Sequence, residues 1–412
     1  MLNSDAPLLS GDALRQRFLE IDTFLLAQQS IWREKPFTQL RLHWEADFPE
    51  LAVWLRARSL ADAEASHSVP TALPAPQPFT DWARQAEQLS SVGVFPHAAL
   101  RARPARMQNG IALRKWQQIE AFAGAVQGGE RQYFASAQQW LDWCAGKGHL
   151  GRYLAWPTAQ LECLEFNSEL VSSGQAISQK YLSQAVHTLC DVMSSASAAP
   201  LQRSDAVVAL HACGDLHTHL LRQVCVQQTP ALALVPCCYN RIQAEFYQPL
   251  SAAGHASALQ LDRDDLALPL TATVTATLRE RRLRDQSMAW RLAFDLGQRK
   301  WRAIDEYLPT PSLSAQWFNK PFEQWCLDLA ALKHLVPLPK QNWLELEAQG
   351  WQRLAQVRNL ELVRALFRRP LELWLVLDQA LFLQEQGFSV AVGEFCATEL
   401  TPRNLLLLAW RD

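Results

Sequence analysis

The apolar positions of this chain change period near residue 139. Before that point they recur at helical spacing: Leu14, Phe18, Ile21 and Leu25 share one face of a helix that Ser10 is placed to cap. A second helix is predicted from about Pro49 to Ala63. It leads into residues 68–78, where four prolines in eleven residues favour an extended linker. Helical spacing returns at 80–90 and 111–126. From 139 onward short apolar runs alternate with helical stretches, as in a parallel sheet. Strands are predicted at 139–143, 161–165, 186–191, 206–211 and 231–236. After Asn240 the alternation stops, and 276–385 reads mostly as helix broken by prolines. Two last runs, Phe388–Val392 and Leu405–Ala409, are joined by a short polar connection and are most simply antiparallel.

Five parallel strands closed by a hairpin make a seven-stranded, Rossmann-like α/β sheet. The predicted organisation is an N-terminal helical region over 1–128, with the proline-rich linker near 68–78, and a core over 129–250. A mainly helical insertion over 251–370 follows between the fifth and sixth strands, above the active site. The last helix and closing hairpin take 371–412.

Composition narrows the function less than the pattern does. With 412 residues, 49% of them hydrophobic, the chain can build one large or two moderate cores. A net charge of -2 gives no global nucleic-acid signature. Local charge is uneven: Arg101, Arg103, Arg106, Arg114 and Lys115 occur without an acid in 101–115, and 279–302 is also rich in Arg and Lys. Such stretches suit phosphates, or simply solvated helix faces. Of sixteen tryptophans, Trp290, Trp301, Trp317 and Trp325 fall among these charges, and core packing is favoured over stacking on bases. Met1-Leu-Asn-Ser-Asp lacks the basic start of a secretory signal, and no apolar run is long enough for a membrane span. Nine cysteines without disulfide-framework spacing read as reduced thiols in a cytoplasmic protein.

The chemistry begins at Asp142-Trp-Cys-Ala-Gly-Lys-Gly-His-Leu-Gly151, which holds Gly146-x-Gly148-x-x-Gly151. Strand, glycine turn, helix and a second strand ending in Glu165 form a nucleotide-binding βαβ unit. Glycines let a cofactor approach the backbone, and a carboxylate accepts hydrogen bonds from a ribose diol. The glycines alone suggest a dinucleotide and a nicotinamide-dependent oxidoreductase. Asp142, inside an otherwise apolar strand, points elsewhere: an acid followed by x-G-x-G-x-G resembles S-adenosylmethionine-dependent methyltransferases. Here Cys144 stands in place of the first of those glycines. The third strand ends in Asp191, suited to an adenine amino group.

Two further motifs sharpen the resemblance: Ala209-Leu-His-Ala-Cys-Gly-Asp-Leu216 after the fourth strand and Val235-Pro-Cys-Cys-Tyr-Asn240 after the fifth. Together they resemble a methyltransferase-domain family with H-x-C-G-D-L and C-C-Y or C-C-H at these places. It includes bacterial proteins classed as methyltransferases, eukaryotic methyltransferase-like proteins and, distantly, a tRNA 2′-O-methyltransferase. The resemblance covers about 110–245 and returns at Pro402-Arg-Asn404. Residues 114–119 look like a family K-K-x-H-E-V but carry Gln117 and Gln118 at the His-Glu pair, whose role therefore does not transfer.

The resemblance implies a class I methyltransferase fold with S-adenosylmethionine as cofactor. Asp142, Cys144, Gly146, Lys147 and Gly148 fall to its methionine end, Glu165 to its ribose and Asp191 to its adenine, with Cys213 and Gly214 also expected to bind it. His211, Asp215, Tyr239 and Asn240 are the candidate catalytic residues: His211 as a base, Asp215 as a helix cap or substrate-orienting group, Tyr239 and Asn240 as a clamp on a flat acceptor. RNA, transfer RNA included, is the expected acceptor through 101–115 and 279–302. A protein or small-molecule acceptor, or a module that binds a nucleotide without catalysis, is the alternative. No metal is expected, because there is no C-x-x-C spacing and adjacent cysteines in a strand point to opposite faces.

Overall fold

A computed structural model describes residues 6–128, 132–272, 278–335 and 337–411, without the side chains of residues 132, 133 and 278. The boundary predicted at 129 and the opening Met1–Asp5 lie outside the described residues. The chain divides into two compact units, each drawn from separated segments. The first comprises Met1–Ala27, Leu89–Ala272 and Arg369–Asp412, and the second the stretches 28–88 and 273–368. The N-terminal helical region is thus shared between the two units.

The first unit is built on one sheet. Its strands are β1 (Leu9–Ser10), β2 (Gln139–Trp143), β3 (Gln160–Glu165), β4 (Ala185–Leu189), β5 (Ala206–Cys213), β6 (Ala231–Cys237), β7 (Ser389–Glu394) and β8 (Leu405–Trp410). They lie in the order β1-β7-β8-β6-β5-β2-β3-β4. Strands β2 to β6 are mutually parallel, and β8 runs antiparallel between β6 and β7. All seven predicted strands are present, with the antiparallel hairpin as expected, in a class I methyltransferase sheet. The order reverses beside β2, which pairs with β3 on one side and β5 on the other, and open α/β sheets bind ligands at such a crevice.

An eighth strand corrects the predicted count. Ser10 does not cap a helix but pairs with Ala391 at the sheet edge, and Gly11, at φ +55°, turns the chain into α1 (Asp12–Ala27). The predicted apolar face of α1 is buried, with Phe24 added. Around the sheet stand α2 (Leu113–Gln127), α3 (His149–Ala155), α4 (Ser168–Tyr181), α5 (Asp215–Val226) and α6 (Arg368–Glu385). Strand β6 is buried along its whole length, which is why its sequence shows no alternation.

One buried carboxylate ties α6 to the chain leaving β6. Asp378 accepts hydrogen bonds from the Tyr247 hydroxyl (2.8 Å), the Leu250 and Ser251 amides (2.8 and 3.0 Å) and the Ser251 hydroxyl (2.7 Å). Four donors meet a charge that could not otherwise be buried.

The second unit is helical. The helix predicted over Pro49–Ala63 is two, Pro49–Arg56 and Leu60–Ser66, because Ser59 and Asp62 form a capping box that starts a new helix. Residues 68–78 are not an open linker: Leu73 and Ala75 are buried. The long helices Leu278–Arg302 and Trp343–Ala365 pack where Gly350 leaves no room for a side chain, since a Cβ would lie 2.4 Å from the Ala289 carbonyl oxygen. Trp290 and Trp325 are buried in an aromatic cluster with Phe294, Phe318 and Phe322, against which Trp301 and Trp317 pack. These tryptophans are core, as favoured.

Asp378→Ala should leave four buried donors without an acceptor. A loss of about 3–5 kcal/mol is expected in urea denaturation. A change below about 1 kcal/mol would mean that the carboxylate does not hold this junction.

Candidate functional site

The turn after β2 is made by three left-handed positions, Cys144 (φ +55°), Gly146 (φ +58°) and Gly148 (φ +66°). The chain doubles back, and its amides find partners at the end of β3. Ala145 donates to the Leu164 carbonyl (3.0 Å) and Gly146 to Glu165 Oε2 (2.8 Å), while Glu165 Oε1 accepts from the Asn167 amide (2.9 Å). Glu165 therefore fixes the glycine loop against the start of α4, in addition to any ligand it holds. The two glycines differ. A Cβ at Gly146 would meet nothing within 4 Å, whereas one at Gly148 would lie 2.6 Å from the His187 ring and 2.7 Å from Cys163 Sγ. Only Gly146 opens space for a ligand; Gly148 makes room for neighbouring side chains. Lys147, between them, is half-buried.

Asp142 is buried and accepts from the Gly151 amide of α3 at 2.9 Å. Burial pushes its carboxyl up to about 7, against the downward pull of that bond and of the Arg152 charge. Arg152 is itself fully buried among His149 (3.2 Å), Ser178 (3.0 Å) and His187 (3.5 Å). Burial holds both imidazoles near 4, so they are neutral beside the guanidinium. Burial also pushes the Cys144 thiol up to about 12. Asp191 is exposed just beyond β4 and accepts from the Met193 amide (3.0 Å). Phe166, directly after Glu165, and Met193, two residues after Asp191, are exposed apolar side chains that the sequence pattern did not single out. The signal available was an apolar residue within two positions of each acid.

A second group of residues gathers at the ends of β5 and β6. His211 sits at a register shift in β5 with φ +66°. Its Nε2 lies 3.1 Å from Gln118 Oε1, and Gln118 Nε2 donates to the Leu400 carbonyl at 3.0 Å. The amide oxygen therefore faces His211, which must donate from Nε2 and keep Nδ1 as its basic nitrogen. Burial, then the charges of Lys115 and Arg403, lower its pKa to about 4. Gln118 stands where the resembling family has Glu, and its partnership with His211 was not read from the sequence.

The other predicted residues are placed less simply. Gly214 (φ +50°) gives room to protein rather than to a ligand, since a Cβ there would lie 1.9 Å from the Arg241 carbonyl oxygen. Asp215 is the first residue of α5, and its carboxylate accepts from the Gln243 amide (2.7 Å) instead of capping the helix. Tyr239 is buried, packed edge-on against His217, with its hydroxyl on the Pro236 carbonyl (3.4 Å). It belongs to the interior and is not an accessible clamp. Asn240 is half-buried beside it. The cysteines cluster, contrary to the alternation expected of a strand. Cys238 lies beyond β6 at φ +48°, so it does not alternate with Cys237: their sulfurs are 3.7 Å apart, and Cys213 Sγ is 3.6 Å from Cys237 Sγ. Hydrogen bonding from Cys237, aided by Cys238 and Arg241, lowers the Cys213 thiol to about 6 despite burial, while the Cys237 thiol is raised.

A cavity of about 330 Å³ lies at the opposite edge of the sheet, lined by Gln139, Gln160, Glu162, Gln184 and Arg203 at or near the strand starts. None of the candidate site residues lines it. Among the described residues no helix is long and apolar enough to cross a membrane.

Residues 114–245 match a family described as a methyltransferase domain. The matched segment runs from α2 through β6 and contains the glycine turn, both acidic strand ends, His211 and the thiols. Among solved structures, the chain is similar to magnesium protoporphyrin IX methyltransferase from Synechocystis PCC 6803 with bound SAH. The identity is 12% and the TM-score 0.31, over 81% of this chain and 94% of that one. This likeness is too slight to add to the assignment. The family match and the sheet order together make this an S-adenosylmethionine-dependent methyltransferase.

Asp142 gives a pH test of donor binding. With its carboxyl at about 7, it is protonated in slightly acid solution and charged above. Only the charged form attracts the donor's ammonium, so affinity for S-adenosylhomocysteine should rise by about tenfold from pH 6 to pH 8. Titration calorimetry should find that rise abolished in Asp142→Asn. A flat wild-type profile would remove Asp142 from contact with the donor.

Proposed function

We propose that this S-adenosylmethionine-dependent methyltransferase acts on RNA, with transfer RNA the first substrate to test. The observation that carries this reading is the charge around His211. Lys115, exposed on the first turn of α2, and Arg403, between β7 and β8, both act on its imidazole. Arg101 and Arg106 are exposed in the same unit, which suits a phosphate backbone. The second basic stretch supports the reading less. Arg284 pairs with Glu64 and Asp285, and Arg299 with Asp295 and Asp305. Arg291 bonds Thr310 and the Pro311 carbonyl, and Arg302 bonds Gln298. Those four cations are engaged within the second unit's own structure.

The residues present fit the donor. The open space at Gly146 lies beside Asp142 and the Cys144–Gly148 turn, which would hold its methionine end. Glu165, whose oxygens each keep a lone pair beyond the loop amides, would take the ribose, and Asp191 the adenine edge. Phe166 and Met193 offer apolar surface for the adenine faces. The donor supplies an already activated methyl group, so the protein's task is alignment and removal of a proton. His211 is the group for that proton: neutral at physiological pH, with Nδ1 as acceptor and Nε2–H held by Gln118. A polyanionic acceptor would offset Lys115 and Arg403, the two cations that disfavour its protonation, and strengthen the base when substrate is bound.

RNA affinity should fall steeply with salt, and Lys115→Ala and Arg403→Ala should each reduce the slope of log K against log[salt] by about one. No affinity for native RNA, or a salt-independent one, would favour a protein or small-molecule acceptor. Nucleoside mass spectrometry on RNA from a deletion strain would locate the methyl group.

His211→Ala should keep donor affinity and lose turnover. Because the neutral imidazole is the active form, turnover at saturating donor, where the titration of Asp142 no longer limits binding, should fall only as pH drops toward about 4. Gln118→Glu places a carboxylate on Nε2–H, favours the imidazolium, and should move that acid limb upward by about 1–3 units. An unmoved limb would show that His211 is not the titrating base.

A further inference from the structure

We propose that Cys213, Cys237 and Cys238 form a binding site for a thiophilic divalent metal such as zinc. Their three sulfur atoms all lie within 4.8 Å of one another, with two of the separations at 3.6 and 3.7 Å. A tetrahedral zinc with sulfur at about 2.3 Å sets its sulfurs about 3.8 Å apart, so the thiols already stand near the edges of that tetrahedron. The backbone works to bring them there. Cys213 and Cys237 are paired across β5 and β6, and Cys238 joins them only because it adopts a left-handed conformation that is uncommon for a residue with a side chain. Such conformations persist where the surroundings fix them. Here the Arg241 amide donates to the Cys238 carbonyl (2.9 Å), and Gly214 donates to the Cys237 carbonyl (3.1 Å). Mixed exposure leaves the group reachable: Cys237 is buried, while Cys213 and Cys238 are partly exposed.

Charge also fits. Each metal–sulfur bond forms as a thiol proton leaves to solvent, so three thiolates around a divalent ion carry one net negative charge. Arg241 acts electrostatically on Cys213 and on Cys238 and offsets that charge. Three protein ligands leave the fourth position open, the arrangement of sites that take a water or substrate atom. Sulfur-only donors exclude calcium and magnesium and select zinc or a metal of similar softness.

The test uses the full chain, stripped of metal and kept reduced, titrated with cobalt(II) and then zinc(II). One equivalent of cobalt should produce thiolate-to-metal absorption in the near ultraviolet, and zinc should abolish it. Cys213→Ser, Cys237→Ser and Cys238→Ser should each weaken zinc binding by about a hundredfold or more, while Cys225→Ser leaves it unchanged. Circular dichroism would confirm that the variants are folded. Absence of the cobalt band in the reduced wild type, or an equal band in the folded triple serine variant, would overturn the site. So would a Cys213–Cys237 disulfide found by peptide mapping of air-handled protein whose reduced form takes no metal, since the pair would then be a redox couple.

Discussion

The site depends on one backbone clasp between the chain leaving β5 and the chain leaving β6. Gly214 donates to the Cys237 carbonyl, Asp215 to the Arg241 carbonyl and Arg241 to the Cys238 carbonyl, at 2.9–3.1 Å. The Asp215 carboxylate closes the set by accepting from Gln243. Two parallel strands would ordinarily part at their ends, each entering its own helix or loop. Here they stay tied for several residues beyond the sheet, and this brings three thiols together a few residues from His211. Glycine is needed at 214 because another backbone occupies the volume of a side chain. The motif H-x-C-G-D-L is therefore first a packing requirement, and its chemistry follows from the packing.

The neighbouring glycine turn works by a different principle. Arg152 is buried against neutral imidazoles rather than carboxylates, and Asp142 is buried with a single amide bond. Desolvation of these groups is incompletely repaid in the protein alone. Asp142 is left with an elevated pKa, the usual mark of a group awaiting a charged partner. A donor bearing an ammonium completes that pairing. Pocket and ligand are thus complementary in charge, and the free protein carries the unfavourable half.

Much of the sheet could be read from the sequence. Strands β2, β3, β5 and β6 are mostly buried, so their apolar runs stand out, whereas β4, at the sheet edge, leaves Val186 and Leu189 exposed. Strand β1 could not be read: two residues give no period, and Ser10 before an apolar helix resembles a cap. The glycine turn and both acids were visible because their spacing follows the βαβ unit. Asp215 and Tyr239 were less legible. Their residue types suit catalysis, but their roles are set by a loop amide and by the interior, which no local pattern reports. Gln118 escaped for a related reason, since its partner His211 lies 93 positions away in sequence. Strand alternation argues against a cysteine cluster only as far as the strand runs, and β6 ends at Cys237, one residue before Cys238.

The position of β8 bears on how the protein is made. Leu405–Trp410 lies between β6 and β7, so those two strands have no direct pairing with each other. Until these residues leave the ribosome, β6 presents an unpaired, wholly apolar edge, an invitation to association with other chains. Residues 28–88 and 273–368, drawn into a separate unit, have no such dependence. Biosynthesis thus produces a helical body that can form early and a sheet that waits. A nascent chain paused near residue 400 would carry the glycine turn, His211 and all three thiols on a half-finished sheet. Protection of that open edge, by speed of synthesis or by a chaperone, is a requirement that the strand order itself imposes.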